Sequence, residues 1–222
     1  MLYKTRGIVF RFTKYGDTSI IVNIFTDLFG LQSYIVNSVR TQAAKSKIAL
    51  YQPLTLLDLV VYHKESGAIA RIKEIQCAHP FATIHTDVKK STLALFLNEI
   101  LNKSIREQSH AGEICSFLFD SFEVLDRLTH NYENFHLIFL IKLSRFLGFG
   151  PHTKEEILTG RLIDAADEAI LKRLLLADFS ENLTMTNVQR RSLLSVILHF
   201  YSLHVENFGE VKSVQVLREV LG

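Results

Sequence analysis

The side chains whose type and spacing suit chemistry are cationic rather than nucleophilic. Lys4, Arg6, Arg11 and Lys14 recur through one β-patterned stretch, Arg40, Lys45 and Lys47 follow in a polar connection, and Arg71 and Lys73 come from a second β-patterned run. Cations gathered this way suit neutralisation of a phosphate backbone, a sequence-independent interaction that weakens with salt. Phe12, Tyr15 and Tyr34 lie among them. Their rings are candidates for stacking on bases, although aromatic rings in a small barrel usually fill its core. The net charge of +2 is uninformative until it is divided. Residues 1–80 hold ten Lys and Arg against five Asp and Glu, a balance of 10 − 5 = +5, and the remaining residues hold 15 − 18 = −3.

A second group of cations lies in the helical half. Lys142 and Arg145 are i,i+3 neighbours on an otherwise apolar segment, and Arg190-Arg191 open a long helical pattern. Basic residues bordering apolar grooves suit a peptide that carries both acidic and hydrophobic side chains.

Catalytic signatures are absent. The chain has no phosphate-binding Walker loop, no dinucleotide glycine fingerprint after a strand and no Gly-x-Ser-x-Gly elbow. Cys77-Ala78-His79 offers two metal ligands without a second pair, and His199 and His204 are five residues apart, off a shared helix face. Glu155-Glu156 and Asp164/Asp167/Glu168 read as solvated surface. No catalytic residue, metal site or cofactor is expected. Two cysteines, Cys77 and Cys115, make no disulfide framework.

The elements that must position these cations divide the chain in two. Five runs read as strands: Thr5–Thr13, Ser19–Thr26, Leu31–Val36, Leu54–Tyr62 and Ile69–Cys77. Alternation places Ile8, Phe10 and Phe12 on one face of the first. Asp27–Gly30 and Lys64–Gly67 read as hairpins, and Asn37–Leu50 as a longer polar connection that forms a short helix or a loop. Strands apolar on both faces call for a closed barrel covered on the outside, and five strands in this length fit the oligonucleotide-binding type. From Asp87 the period turns helical, with helices expected over 87–105, 113–128, 132–147, 168–176, 186–205 and 211–220. Thr153–Asp164 is ambiguous. The expected class is α+β, with an oligonucleotide-binding barrel over residues 1–80 that binds DNA and an all-helical domain over 81–222 that binds partners.

Mean hydropathy is +0.16, yet the longest apolar run, Phe135–Leu147, is broken by Lys142, Ser144 and Arg145. It falls short of the ~20 residues that span a bilayer. The N-terminal MLYKTRG has no apolar signal core, so neither a membrane association nor export is expected and the location reads as cytoplasmic.

The N-terminal GIVFRFTKYGDTSIIVNIFTDLFGLQSYIVNSVR, KLSRFLGFGP at 142–151 and the C-terminal RRSLLSVILHFYSLHVENFGEVKSVQVLREVL together resemble bacterial RecO recombination mediators. The resemblance spans essentially the whole chain. It implies an N-terminal oligonucleotide-binding barrel, a helical C-terminal domain, and binding of single- and double-stranded DNA with annealing of complementary strands. It also implies action with RecR to load RecA onto DNA coated by single-stranded DNA-binding protein, SSB, whose acidic tail docks on the helical domain. Some members of the family carry a four-cysteine zinc site in the helical half. This chain has only Cys115 there, and Thr153–Asp164 is where a replacement would lie. Two other readings remain open from the residues alone: an adaptor whose basic barrel face meets an acidic protein without DNA, and an enzyme with a cryptic cleft.

Overall fold

A computed structural model describes residues 1–41, 45–63, 69–106 and 110–221, without the side chains of Lys45 and Ser46. The hairpin expected at Lys64–Gly67 and part of the Asn37–Leu50 connection lie outside the described residues. Five strands, β1 (Leu2–Tyr15), β2 (Ser19–Thr26), β3 (Gly30–Val36), β4 (Leu56–Tyr62) and β5 (Ala70–His79), close into a barrel in the order β1-β2-β3-β5-β4. A short helix α1 (Lys45–Ile48) and a 3-10 turn (Ala49–Tyr51) lie between β3 and β4.

The barrel is antiparallel except where β3 meets β5, which pair in parallel at Tyr34–Ala70 and Ile35–Arg71. A path round the ladder leaves β1 at Thr13, crosses Ile21, Ile35, Arg71 and Tyr62, and returns to β1 at Leu2. That stagger is what closure of a five-stranded sheet requires. β1 is longer than its apolar run because both of its ends pair, Leu2 with Tyr62 and Tyr15 with Ser19. The β2–β3 hairpin closes as its sequence demands. Gly30 takes φ +61°, and the Thr26 hydroxyl accepts from the Phe29 amide and donates to the Gly30 carbonyl, both at 3.1 Å.

One expectation is overturned within β1. Val9 pairs with Ile24 and Arg11 with Asn23, so Phe10 is an extra residue in a bulge. Side-chain parity flips there. Ile8 and Phe10 face the outer wall, where the Phe10 and Phe25 rings stack at 5.7 Å, whereas Phe12 joins Val9 and packs against the interior cluster of Ile20, Val22, Ile24, Tyr34, Leu57, Leu59 and Val61. Gly7 also faces inward. A Cβ there would stand 2.6 Å from the Ile24 side chain and 3.3 Å from that of Leu59, so the interior leaves room only for hydrogen.

The helices are α2 (Val88–Ser104), α3 (Ala111–Arg127), α4 (Phe135–Phe146), α5 (Lys154–Leu158), α6 (Ala165–Leu174), α7 (Asn187–His204) and α8 (Ser213–Leu221). The chain falls into two compact units: Met1–Phe81 with Ile105–Glu123, and Ala82–Ser104 with Val124–Gly222. The first part of α3 thus groups with the barrel. There the Arg6 guanidinium stands 4.9 Å over the Phe119 ring, and burial beside Asp27 pushes the Cys115 thiol up to about 12 against the pull of Arg6.

Within the helical unit, local chemistry sets the helix starts. Asp87 accepts from the amides of Lys89 and Lys90 at 2.8 and 3.1 Å and so caps α2. Thr186 and Gln189 form the reciprocal capping box that opens α7. Thr153 caps α5, so the ambiguous segment opens as a short helix and ends at Thr159 with φ +50°. Asp126 accepts from three successive amides, Ala82, Thr83 and Ile84, at 2.8–3.0 Å. Although burial works against it, those donors lower its carboxyl to about 2. No helix among the described residues is long and apolar enough to cross a membrane.

Candidate nucleic-acid interface

Strand alternation and the bulge sort the barrel's cations onto two arcs of its outer wall. On the first, Arg11 pairs across β2 and β3 with Asn23 and Ser33, whose side chains share a 3.1 Å hydrogen bond. One step along lies the row Thr13, Ile21, Ile35 and Arg71. Arg11 and Arg71 are exposed, Ile21 and Ile35 half-buried. Three strand spacings, ~15 Å, separate the β1 and β5 ends of the row. Every side chain named in it is neutral or cationic, so the two guanidinium groups flank a wall that carries no charge opposing a phosphate.

The second arc holds Lys4 and Arg6. They line a groove of about 450 Å³ with Asp27, Asp58 and Glu74. Asp27 accepts from the Thr5 hydroxyl and from the Arg6 amide. Two cations facing three carboxylates leave no net attraction for a polyanion.

The remaining candidates are scattered. Lys14 is exposed at the end of β1, paired with Ile20, and Lys73 is exposed in a β5 bulge with an ion pair to Glu74 at 3.4 Å. Arg40 is half-buried, and its amide donates to the Thr18 carbonyl at 2.9 Å and its guanidinium to the Gly16 carbonyl at 3.0 Å, stapling the β1–β2 hairpin. Lys47 is exposed on α1, and the side chain of Lys45 lies outside the described residues. Of the three aromatic candidates, Tyr34 is only 1% exposed, with burial raising its hydroxyl pKa, so it is core. Phe12 is half-buried against that core, and Tyr15 is exposed.

Sequence reasoning missed Tyr62. It follows the inward-facing Val61, pairs with Arg71 on one side and Leu2 on the other, and keeps 47% of its surface exposed. The signal was its alternation with Val61, which the apolar run Leu-Val-Val-Tyr obscured.

In the helical unit, all four expected partner-binding cations bond internally, Arg191 through its guanidinium to the Arg218 carbonyl at 3.2 Å. Lys142 pairs with Asp178 and sits over the Phe179 ring, and Arg145 donates to the Leu175 carbonyl. Arg190 is buried, donating to Asn134 Oδ1 at 2.8 Å and Asn187 Oδ1 at 2.7 Å. Arg191 alone of the four lines an open cleft, about 1140 Å³, between α7 and α8. Lys212 and Arg218 join it there with Leu198, Val214 and the acids Glu210 and Glu219. One wall is set from α2, where Glu99 accepts the Lys212 and Ser213 amides at 2.9 and 2.8 Å at the start of α8.

Among the described residues no group of three or more His, Cys, Asp or Glu is arranged to hold a metal ion. With Cys115 the only cysteine in the helical half, a four-thiolate zinc site does not fit this chain.

A closed five-stranded barrel with a basic outer arc, followed by helices, defines an oligonucleotide-binding-fold protein with a helical C-terminal part. The family model described as Recombination protein O N terminal matches residues 1–81, and the one described as Recombination protein O C terminal matches residues 85–168. The DNA repair protein RecO of Flavobacterium johnsoniae is 36% identical over 99% of both chains, that of Flavobacterium psychrophilum 35% and that of Phocaeicola vulgatus 33% over the same share. The chain belongs to the RecO family of DNA repair proteins.

Proposed function

We propose that this chain is a non-enzymatic recombination mediator of the cytoplasm. It binds single- and double-stranded DNA through the barrel, residues 1–80, anneals complementary strands, and with RecR helps load RecA onto SSB-coated DNA. The observation that carries the DNA contact is the arc between Arg11 and Arg71, where two exposed guanidinium groups flank neutral side chains from β2 and β3. Annealing needs no nucleophile. It needs backbone charge neutralised while base edges stay accessible, and a shallow outer wall does both.

The helical part, 81–222, takes the partner contacts. The cleft at Arg191, Lys212 and Arg218, with Leu198 and Val214 between them, supports docking of the acidic, aromatic-ended tail of SSB. Family membership supports RecR as a second partner.

Titrating the full chain with unrelated single-stranded oligonucleotides at several salt concentrations tests this reading. Sequence-independent binding that weakens steeply with salt is expected. Binding to an acidic tail peptide with no affinity for any oligonucleotide would instead identify an adaptor.

A further inference from the structure

We propose that Tyr62 is a stacking platform for one unpaired nucleobase, with Arg71 beside it holding the adjoining phosphate. This rests on the DNA-binding reading above and adds to it the recognition of bases that have left a duplex.

Three observations converge on it. Parity comes first: Val61 is fully buried in the barrel and Tyr62, the next residue, must face outward. A tyrosine there that keeps 47% of its surface in water is not serving the core. The second is availability. Nearby, Phe29 and His63 already stack on each other at 3.8 Å and 8°, and the Tyr3 ring meets Phe29 edge-on at 5.2 Å. Among the described residues Tyr62 has neither a ring partner nor a hydrogen-bond partner. The third is the pairing of chemistries. Arg71 is directly opposite on β5, ~5 Å away at Cβ, and Leu2 is opposite on β1, 44% exposed. An apolar ring flanked by a cation on one side and an aliphatic side chain on the other matches a nucleotide, whose flat base adjoins an anionic phosphodiester. Within a duplex both faces of a base are covered by its neighbours. The platform therefore acts on single strands, while duplex DNA meets only the cations.

The chain contains no tryptophan, so Tyr62→Trp supplies one fluorescent reporter at the site. The full-length protein would be titrated with oligo-dT and with an abasic oligomer of the same length, which keeps the phosphates and lacks bases. Tyr62→Ala should weaken oligo-dT binding ~10-fold, a typical cost of one lost base–aromatic stack. It should leave abasic affinity and the salt slope unchanged. Tyr62→Phe should bind as wild type, and the Tyr62→Trp signal should be quenched by oligo-dT but not by the abasic oligomer. Arg71→Ala should weaken both ligands. Unchanged oligo-dT affinity in Tyr62→Ala, equal weakening of both ligands, or no quenching in Tyr62→Trp would overturn the platform while leaving DNA binding intact. A wild-type protein that binds neither oligomer would instead remove the DNA reading itself, and the platform with it.

Discussion

The two arcs of the barrel's outer wall are built from the same strand and mean different things. β1 gives Lys4 and Arg6 to one and Arg11 to the other. On the first arc the cations face Asp27, Asp58 and Glu74 across a groove. On the second, Arg11 and Arg71 flank Ile21, Asn23, Ser33 and Ile35. A count of positive charge along the sequence treats both as one patch. What separates them is the set of strands each residue faces, which the barrel's stagger and the Phe10 bulge decide. The helical unit repeats the contrast at shorter range. Arg190 and Arg191 are adjacent, yet Arg190 is buried and bonded to Asn134 and Asn187, whereas Arg191 is exposed, donates to the Arg218 carbonyl and lines the α7–α8 cleft.

Removing cations from one arc at a time separates the two walls. Replacing Arg11 and Arg71 together with Ala should weaken single-stranded DNA binding on the order of a hundredfold at low salt, from two lost charge-assisted contacts. The salt slope should become shallower by about 1.4, measured by anisotropy titration.

Arg190→Ala and Arg191→Ala test the second contrast. Arg190→Ala should cost about 2 kcal/mol in urea unfolding, because Asn134 Oδ1 loses its buried donor. Arg191→Ala, which removes one exposed bond to the Arg218 carbonyl, should cost less than about 1 kcal/mol and weaken an acidic tail peptide several-fold.

His136 reports on the same interior. Burial, aided by the charge of Arg190, lowers its pKa to about 3 from the ordinary 6.5. The unfolded chain therefore takes up the proton first. No stability is lost above pH 6.5, and it declines as pH falls from there toward 3, by about 2 kcal/mol at pH 5. In His136→Phe, which keeps an aromatic ring against Phe96, that part of the acid sensitivity should disappear from unfolding curves.

The smallest effect belongs to the other arc. Lys4→Ala with Arg6→Ala should change DNA affinity by less than about twofold, since those cations already face carboxylates. A loss comparable to that of the Arg11 and Arg71 variant would erase the distinction between the arcs.

What was legible in the sequence follows from range. β2 begins and ends where its turn residues say, Ser19 to Thr26, and α2 and α7 open at Val88 and Asn187, beside the starts of the helices expected over 87–105 and 186–205. Those signals act over a few residues. The Phe10 bulge does not show in β1, because Ile8, Val9, Phe10 and Phe12 read as unbroken alternation until β2 supplies the register. The grouping of Ile105–Glu123 with the barrel was equally hidden, since its apolar face resembles that of any amphipathic helix. At the candidate site, Arg11 and Arg71 were visible as charge, but their shared wall depends on the parallel β3–β5 contact between residues far apart in the chain. Arg40 stood out beside a polar loop, and its bond to the Gly16 carbonyl could not be read from its neighbours.

The most direct measurement is hydroxyl-radical footprinting of the full chain with and without oligo-dT. Ile21, Ile35 and Tyr62 should lose reactivity on binding, while Val60 on the Lys4 and Arg6 groove keeps its own. Protection of Val60 with Ile21 and Ile35 unchanged would contradict the account and move the DNA to the other arc.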